Sequence, residues 1–295
     1  MKIAFVGLGS MGALMARNLV RAGFSVIGYD KSPKALAEFE SAGGKTAAAA
    51  AAAARQADVL ILMVVSAAQA ESVLFDAAAL DALSSSGVVM LMATCPPSAV
   101  QILGKRVQAT GRRFVDAPVS GGTAGADAAT LSIMVAADER TVEELRPVLG
   151  AMGDKIFCVG KEPGQAAAVK TVNQLLCGIH LAAAAEAFSL ARKLGLDLKV
   201  VLEILGGSSA SSWMLKDRGP RMMESEPAVT SAVDIFAKDL GIVLEAGRDA
   251  RAALPLAAAA HQMFLATSGR GDGAADDSQV IRSYKQLNEG NARTP

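Results

Sequence analysis

The sequence predicts two domains of different class, a doubly wound α/β domain over residues 1–163 and an all-α domain over residues 164–295. Two observations support this prediction. In the first half, short apolar runs alternate with helical stretches, and such runs suit parallel strands that are buried on both faces. In the second half the helical pattern continues without a convincing strand. An α/β domain followed by a helical domain is therefore the expected fold.

The predicted strands of the first half are short, apolar and bounded by Gly, Asp or Pro. They are Lys2–Val6, Ser25–Tyr29, Val59–Val65, Val88–Ala93 and Phe114–Ala117, with Leu131–Ala137 and Lys155–Val159 extending the sheet. The predicted helices are Met11–Ala22, Pro33–Ala42, Ser66–Ala82 and a stretch from Glu139 to about Met152. This βαβαβ order is typical of a doubly wound parallel sheet.

A long helix is predicted at the start of the second domain, where it joins the two. Gln165–Leu194 contains no Pro and one internal glycine, Gly178, so it can form a single helix of about 45 Å at 1.5 Å per residue. Further helices are predicted near residues 197–205, 238–252, 255–268 and 276–289. The alanine tract Ala47–Ala54 is predicted to be a helix or the approach to one.

The composition excludes several classes of protein. Lys+Arg and Asp+Glu are each 29, so the chain has no net charge and is not a strongly basic nucleic-acid binder. Three cysteines and two histidines are too few for a disulfide framework or a metal cage, and they fit a reducing compartment. Gly7, Gly9 and Gly12 interrupt the N-terminal apolar run, which argues against a secretory signal peptide. We therefore expect a soluble, cytoplasmic protein without a membrane or nucleic-acid partner and without a metal.

A glycine motif lies directly after the first predicted strand, at Gly7-Leu8-Gly9-Ser10-Met11-Gly12. This G-x-G-x-x-G spacing permits a tight turn, close approach of the backbone to a pyrophosphate, and close packing of the helix on the strand. The N-terminus of the following helix attracts the anion. The motif therefore predicts a Rossmann-type site for a dinucleotide.

Asp30 ends the second predicted strand, 23 positions after Gly7. A carboxylate there can accept hydrogen bonds from the adenosine ribose hydroxyls and would repel a 2′-phosphate, which favours NAD over NADP. Lys31 could partly offset that preference. In the alternative interpretation the glycines serve only a tight turn and Asp30 caps the strand. It is disfavoured because strand, loop, helix and acid are all in register.

Four motifs, in the same order, make the chain resemble the β-hydroxyacid dehydrogenases, the 3-hydroxyisobutyrate dehydrogenase superfamily. They are the glycine motif, Asp116-Ala117-Pro118-Val119-Ser120-Gly121-Gly122, the stretch from Gly164 through Lys170 to Asn173, and Lys238-Asp239-Leu240. The resemblance spans nearly the whole chain. Shorter stretches, among them Ser211-Ser212-Trp213-Met214, are most similar to the L-threonate dehydrogenase branch.

The resemblance implies a function for each motif, with an active site in the cleft between the two domains. Lys170 matches the catalytic lysine, and the Ser120-Gly121-Gly122 loop matches the loop that holds the substrate carboxylate. Thr94 matches a contact to the nicotinamide end of the cofactor, and Lys238 matches a lysine that reaches the cofactor from the helical domain. Many members carry asparagine four residues after the lysine. Here that position is Gln174, and Asn173 precedes it.

The residues themselves can support this chemistry. Oxidation of an alcohol by NAD needs a hydride acceptor and a group that takes the hydroxyl proton. Burial lowers the pKa of a lysine towards the working pH, at which the lysine can take that proton. On a helix, Lys170, Asn173 and Gln174 can share a face, so an amide could hold the substrate beside the lysine. The alternatives are a surface lysine and a merely flexible Ser-Gly-Gly loop. Only the surrounding motifs disfavour them.

Other conspicuous residues keep two interpretations each. His180 is a core histidine or a polyol ligand, and Trp213 covers the cleft or anchors the core. Cys95 is better explained as a small apolar filler than as a reactive thiol. Asp239 orients Lys238 or caps a helix.

The sequence therefore predicts an NAD-dependent dehydrogenase that oxidises a small hydroxy acid, with L-threonate, oxidised to 2-dehydro-L-erythronate, as the leading substrate. The alternatives are a 3-hydroxyisobutyrate dehydrogenase, a tartronate semialdehyde reductase, and a dinucleotide-binding module without catalysis. The apolar helical half predicts a homodimer or homotetramer.

Overall fold

The computed structural model describes residues 1–289 of the chain. They form two compact units, of which the first covers Met1–Thr171 and the second begins at Val172. The division lies inside a long helix, whereas the sequence places the domain boundary just before that helix, at residues 163/164. The predicted boundary stays a prediction.

The first unit is built on one nine-stranded sheet. Its strands are β1 (Lys2–Val6), β2 (Ser25–Tyr29), β3 (Lys45–Thr46), β4 (Val59–Leu62), β5 (Val88–Leu91), β6 (Arg113–Asp116), β7 (Val119–Ser120), β8 (Ser132–Ala136) and β9 (Lys155–Gly160). The order β3-β2-β1-β4-β5-β6 is parallel throughout. β8 pairs antiparallel with β6 and β7 and parallel with β9. The predicted doubly wound sheet is confirmed.

Strand β1 shows why the sheet needs apolar residues on both faces. Ile3 and Phe5 point into one buried cluster, while Ala4 and Val6 point into another on the opposite face. Because successive side chains alternate between faces, a strand covered on both sides has no position for a polar residue. The apolar runs therefore marked the parallel strands β1, β2, β4, β5 and β6, although β4 and β5 end two to three residues earlier than predicted. The two-residue strands β3 and β7 were not predicted.

Fourteen α-helices occur in residues 1–289. Those of the first unit, or starting in it, are α1 (Gly12–Arg21), α2 (Pro33–Ser41), α3 (Ala50–Ala54), α4 (Ala67–Glu71), α5 (Ala79–Ala82), α6 (Pro97–Gln108), α7 (Gly122–Ala128), α8 (Glu139–Gly150) and α9 (Gln165–Lys193). Those of the second unit are α10 (Leu198–Gly207), α11 (Trp213–Met222), α12 (Val233–Asp249), α13 (Pro255–Thr267) and α14 (Ile281–Glu289).

One predicted helix, Ser66–Ala82, is wrong as a single element. The structure divides it into α4, a π-helical turn at Ser72–Asp76, and α5. Ala78 has a positive φ of 52°, and a left-handed residue ends a right-handed helix. Three helices, α6, α7 and α11, were not predicted, and α12 begins five residues before its predicted start.

The second unit packs α9 to α14 around its own apolar cluster. Phe188, Phe236 and Phe264 lie in this cluster, and the rings of Phe236 and Phe264 stack at a centroid distance of 5.2 Å. Gly178 lies where α12 approaches α9, since a Cβ there would come within 2.7 Å of Leu240 Cδ2. The single glycine inside α9 thus has a packing reason.

Helix α9 is the one helix within residues 1–289 that is long and apolar enough to cross a membrane by length and composition alone. Half of its most apolar window is buried in the structure.

Candidate active site

The three motif glycines, two in the loop after β1 and one at the start of α1, differ in their surroundings. Gly7 has a φ of +97°, and a Cβ there would lie 2.4 Å from the Met63 carbonyl oxygen. A Cβ on Gly12 would lie 1.9 Å from the Gly7 carbonyl oxygen. Gly9 has no atom within 4 Å of its would-be Cβ. The first and third glycines are thus required by the fold itself, whereas the second leaves open space.

This open space is where the loop can admit a pyrophosphate. Gly9, exposed Ser10 and half-buried Met11 precede the first residue of α1, so backbone N–H groups and the positive end of the helix dipole lie at the same place. Buried Leu8 anchors the loop in the core. The loop therefore fits a dinucleotide cofactor.

Asp30 follows β2 and holds the loop in place. Its Oδ2 accepts a hydrogen bond from the Leu8 N–H at 2.7 Å, and its Oδ1 accepts one from the Ser32 N–H at 2.8 Å. Each carboxylate oxygen has two lone pairs, which leaves acceptor capacity for ribose hydroxyls. The Asp30 carboxylate is therefore both a loop anchor and a candidate ribose contact.

The proposed nicotinamide and substrate contacts follow other strands at the same edge. Thr94 is half-buried just after β5, and Ser120 ends β7. Gly121 and Gly122 have φ values of 131° and 61°, a left-handed region that strongly favours glycine. Their backbone turns at the start of α7, where the first N–H groups of a helix have no partner within the helix. The Ser-Gly-Gly loop thus has a backbone reason for both glycines.

Lys170 is on α9 and is only 6% exposed, so it is not the surface lysine of the alternative interpretation. The start of its helix is held by Asp116, the last residue of β6. Asp116 Oδ2 accepts hydrogen bonds from the N–H groups of Gly164 at 2.9 Å and Ala167 at 3.0 Å. Burial raises the pKa of Asp116 to about 6, although these hydrogen bonds act in the opposite direction.

In the second unit, a chain of polar contacts joins α9 to α12. Asn173 Nδ2 donates to Gln174 Oε1 at 2.8 Å, and Gln174 Nε2 donates to Asp239 Oδ2 at 2.5 Å. Asp239 Oδ1 pairs with Lys238 Nζ at 2.7 Å. The buried Asp239 carboxylate thus binds both Lys238 and Gln174. Because Asp239 lies inside α12 and not at its end, it orients Lys238 and does not cap a helix.

Comparison with known proteins places the chain in a family. Residues 2–160 match the model described as the NAD binding domain of 6-phosphogluconate dehydrogenase. Residues 164–284 match that described as NAD-binding of NADP-dependent 3-hydroxyisobutyrate dehydrogenase. The chain belongs to the 3-hydroxyisobutyrate dehydrogenase-like family. It is an oxidoreductase of the hydroxy-acid dehydrogenase class that acts on CH–OH with a nicotinamide dinucleotide.

Individual relatives of this dehydrogenase match over nearly the whole chain. The L-threonate dehydrogenase of Cupriavidus necator is 40% identical over 96% of this chain and 95% of its own. That of Haemophilus influenzae is 38% identical over 96% and 94%. The crystal structure of 3-hydroxyisobutyrate dehydrogenase from Salmonella typhimurium is 37% identical, with a TM-score of 0.90 over 96% of this chain and 99% of that one.

Three other residues of this dehydrogenase that the sequence singles out have ordinary surroundings. Cys95 is buried in an apolar cluster of the first unit. Trp213 is 52% exposed at the start of α11, with the Arg218 guanidinium 5.7 Å from its ring centroid. His180 is half-buried on α9. Across residues 1–289 no three His, Cys, Asp or Glu side chains are grouped to hold a metal.

Sequence reasoning on this dehydrogenase missed two links. It gave Asp116 no function, although its carboxylate caps a helix 48 residues away. It proposed Gln174 as a substrate ligand and did not foresee its hydrogen bond to Asp239, 65 residues away. No local pattern marks such a pair. An aspartate at the end of a buried strand, with Pro118 two residues later, was the only available signal for the first link.

Proposed function

We propose that this dehydrogenase oxidises L-threonate at C2 to 2-dehydro-L-erythronate, with NAD as the oxidant. The observation that carries the substrate is the full-length similarity, at 40% and 38% identity, to two L-threonate dehydrogenases. The four motifs lie inside residues 2–160 and 164–284, which match the two family models.

Lys170 is the proposed base. As L-threonate is oxidised, the C2–H bond breaks with its electron pair, the O–H proton passes to Lys170 Nζ, and a C2=O bond forms. NAD, which the Gly7–Gly12 motif and Asp30 would hold, would supply the acceptor for this hydride. A lysine that is 6% exposed is shielded from bulk water, so a bound substrate hydroxyl, rather than solvent, is its partner in proton transfer.

The substrate carboxylate is assigned to the Ser120-Gly121-Gly122 loop. Two consecutive glycines with positive φ leave their N–H groups unobstructed, and the Ser120 hydroxyl adds a further donor. Asn173 and Gln174 are proposed to act on the substrate, and Lys238 on the cofactor. Gln174 is hydrogen-bonded to both Asn173 and Asp239, so the orientation in which it would meet the substrate depends on these two neighbours.

The preference for NAD over NADP rests on Asp30. An ionised carboxylate beside the ribose would repel a 2′-phosphate, and its two hydrogen bonds to backbone N–H groups fix it there. The second family match is described by an NADP-dependent enzyme, so the preference is a property to be measured on this chain.

A second candidate substrate is 3-hydroxyisobutyrate. It is favoured by the Salmonella typhimurium structure, which carries that enzyme name and is similar over 96% of this chain. The proposed machinery would serve it too, since both compounds carry a carboxylate and a hydroxyl group.

We further propose a cytoplasmic homodimer or homotetramer. The second unit exposes several large apolar side chains, which a subunit contact would cover. They include Leu190, Leu194, Val200, Ile204 and Leu256.

The test is NADH formation, followed by its absorbance, with L-threonate, D-threonate, L-erythronate and 3-hydroxyisobutyrate supplied separately. We expect turnover with L-threonate, and its loss in Lys170→Ala while NAD still binds. Lys193→Ala, at the exposed end of the same helix, is the matched control and should retain activity. If only 3-hydroxyisobutyrate is turned over, it replaces L-threonate as the assigned substrate. An active Lys170→Ala variant would show that Lys170 is not the catalytic base.

A further inference from the structure

The start of α9 cannot supply its own side-chain cap. The residue that precedes the helix is Gly164, which has no side chain and a φ of +93°. A Cβ there would lie 2.6 Å from Gln101 Cγ and 2.8 Å from the Pro97 carbonyl oxygen. Serine, threonine or aspartate, the usual residues at this position, are therefore excluded by space and by backbone conformation.

Asp116 supplies the missing cap from another element. Its Oδ2 accepts the N–H groups of Gly164 and Ala167 at 2.9 and 3.0 Å. The Ala167 N–H belongs to the third residue of the helix, which is one of those that an ordinary cap satisfies. Asp116 is 1% exposed, so water does not compete for these donors.

The same residue is continuous with the proposed substrate loop. Asp116 ends β6, and its backbone pairs with Ala136 of β8. Four residues later Ser120 ends β7, which pairs with the same strand β8. The loop and the cap are thus anchored to one strand. Lys170 follows Ala167 by three residues, which is about 4.5 Å along the helix axis.

We propose that Asp116 is a positioning residue that fixes the first turn of α9, and with it Lys170, relative to the Ser120-Gly121-Gly122 loop. This inference rests on the proposed functions of Lys170 and the loop. It adds a residue that touches neither substrate nor cofactor and acts through backbone N–H groups. Proton transfer requires the reacting groups within hydrogen-bond reach, so a small displacement of the lysine costs turnover.

The test compares Asp116→Ala with Asp116→Asn, using L-threonate, or 3-hydroxyisobutyrate if only that is oxidised. Alanine removes the acceptor, and we expect kcat to fall about 10- to 100-fold while the Kd for NAD changes less than about twofold. Asparagine keeps an oxygen that can accept the same N–H groups, and we expect it to recover kcat to within about threefold of the wild type. If Asp116→Ala does not fold, Asp116→Ser replaces it, because its hydroxyl is too short to reach both donors.

Asp138→Ala is the matched control. Asp138 caps α8 in the same unit by accepting from the Thr141 N–H at 3.0 Å, so its loss weakens a helix that carries no proposed site residue. We expect its kcat to stay within about twofold of the wild type. An equal loss of kcat in Asp138→Ala and Asp116→Ala would assign the effect to general loosening and overturn the proposal.

A double variant separates this inference from the proposed function. If Asp116 acts through Lys170, Asp116→Ala adds no further loss of kcat to Lys170→Ala. Independent, multiplying losses would overturn the positioning function. An active Lys170→Ala would instead contradict the proposed catalytic lysine. Hydrogen exchange at the Gly164 and Ala167 amides reports on the cap without any turnover, and it should accelerate in Asp116→Ala but not in Asp138→Ala.

Discussion

The two units hold their candidate functional groups in different ways. In the first unit the backbone provides the support: glycines with positive φ shape two loops, and Asp116 binds N–H groups of α9. In the second unit side chains hold other side chains, because Asp239 binds Gln174 and Lys238 directly. Both units place one buried aspartate at the centre of the arrangement.

This difference teaches which changes each unit can absorb. A backbone site tolerates many side chains but not an extra Cβ at a crowded glycine. A side-chain network tolerates backbone adjustments but not the loss of one buried partner, since the remaining polar groups are then unsatisfied.

Gly12→Ala should be the most damaging change in the first unit. Its Cβ would lie 1.9 Å from the Gly7 carbonyl oxygen, an atom of the backbone that cannot rotate away. We expect a loss of unfolding free energy beyond the about 1–3 kcal/mol of ordinary overpacking, together with loss of NAD binding. Thermal unfolding and an NAD titration measure the two effects.

Gly9→Ala is the matched control, because its Cβ would meet no atom within 4 Å. We expect its Tm to be that of the wild type, while the methyl group obstructs the pyrophosphate and weakens NAD binding. Equal unfolding free energies for Gly12→Ala and the wild type would contradict the account of the loop. Wild-type NAD affinity in Gly9→Ala would show that the open space is not the pyrophosphate position.

The glycine loops of the first unit were predictable for the same reason that makes them sensitive to substitution. A glycine with positive φ, or one against a backbone oxygen, has almost no substitute, so Gly7 and Gly12 mark their loop in the sequence. The apolar runs likewise predicted the buried parallel strands. Ala78 escaped prediction because alanine carries no mark of its left-handed conformation.

Side-chain contacts over long sequence distances were not predictable. Gln174 and Asp239 are 65 residues apart, and their contact depends on α12 approaching α9 at Gly178. Lys170 was found through its motif, since neither its spacing nor its residue type distinguishes a buried from an exposed lysine. Its burial is a result of the tertiary structure.

Asp239→Ala should have the largest effect in the second unit. It removes the Asp239 acceptor from the buried Gln174 amide and from the half-buried Lys238 ammonium, and a buried polar group that loses its partner costs about 1–3 kcal/mol. We expect a lower midpoint of denaturant unfolding and a higher KM for NAD. Glu245→Ala, exposed on the same helix α12, should change neither. A wild-type KM for NAD in Asp239→Ala would mean that Lys238 needs no orienting partner.

The Asp116 carboxylate should give the first unit a pH dependence of its own. Its folded pKa of about 6 is above the ordinary aspartate value of 3.8, because burial disfavours the charged form. Ionisation therefore costs stability: the contribution of Asp116 is favourable below about pH 4, declines up to about pH 6 and is constant above it. Relative to the wild type, Asp116→Asn should gain up to about 3 kcal/mol between those limits. Denaturant unfolding of both proteins across this range measures the difference.

Asp138→Asn provides the opposite sign. The hydrogen bonds from Thr141 lower the pKa of Asp138, so this cap contributes stability at neutral pH that is lost as the pH falls through its folded pKa. Asp138→Asn should thus lose stability relative to the wild type as the pH rises from acid to neutral. Parallel curves for the two asparagine variants would show that burial does not distinguish these caps.

Asp30→Asn should have the smallest effect and still separate two functions of one carboxylate. The amide oxygen can accept one of the two backbone N–H groups that Asp30 binds now, so the loop should largely persist. Removal of the charge should narrow the preference for NAD over NADP by about tenfold, equivalent to about 1.4 kcal/mol. The ratio of kcat/KM for the two cofactors measures it, and Lys31→Ala, beside Asp30, should shift that ratio in the opposite direction. If the ratio is unchanged in Asp30→Asn, the Asp30 carboxylate only anchors the loop. The ribose would then be recognised by backbone groups, like those that support the other candidate sites of the first unit.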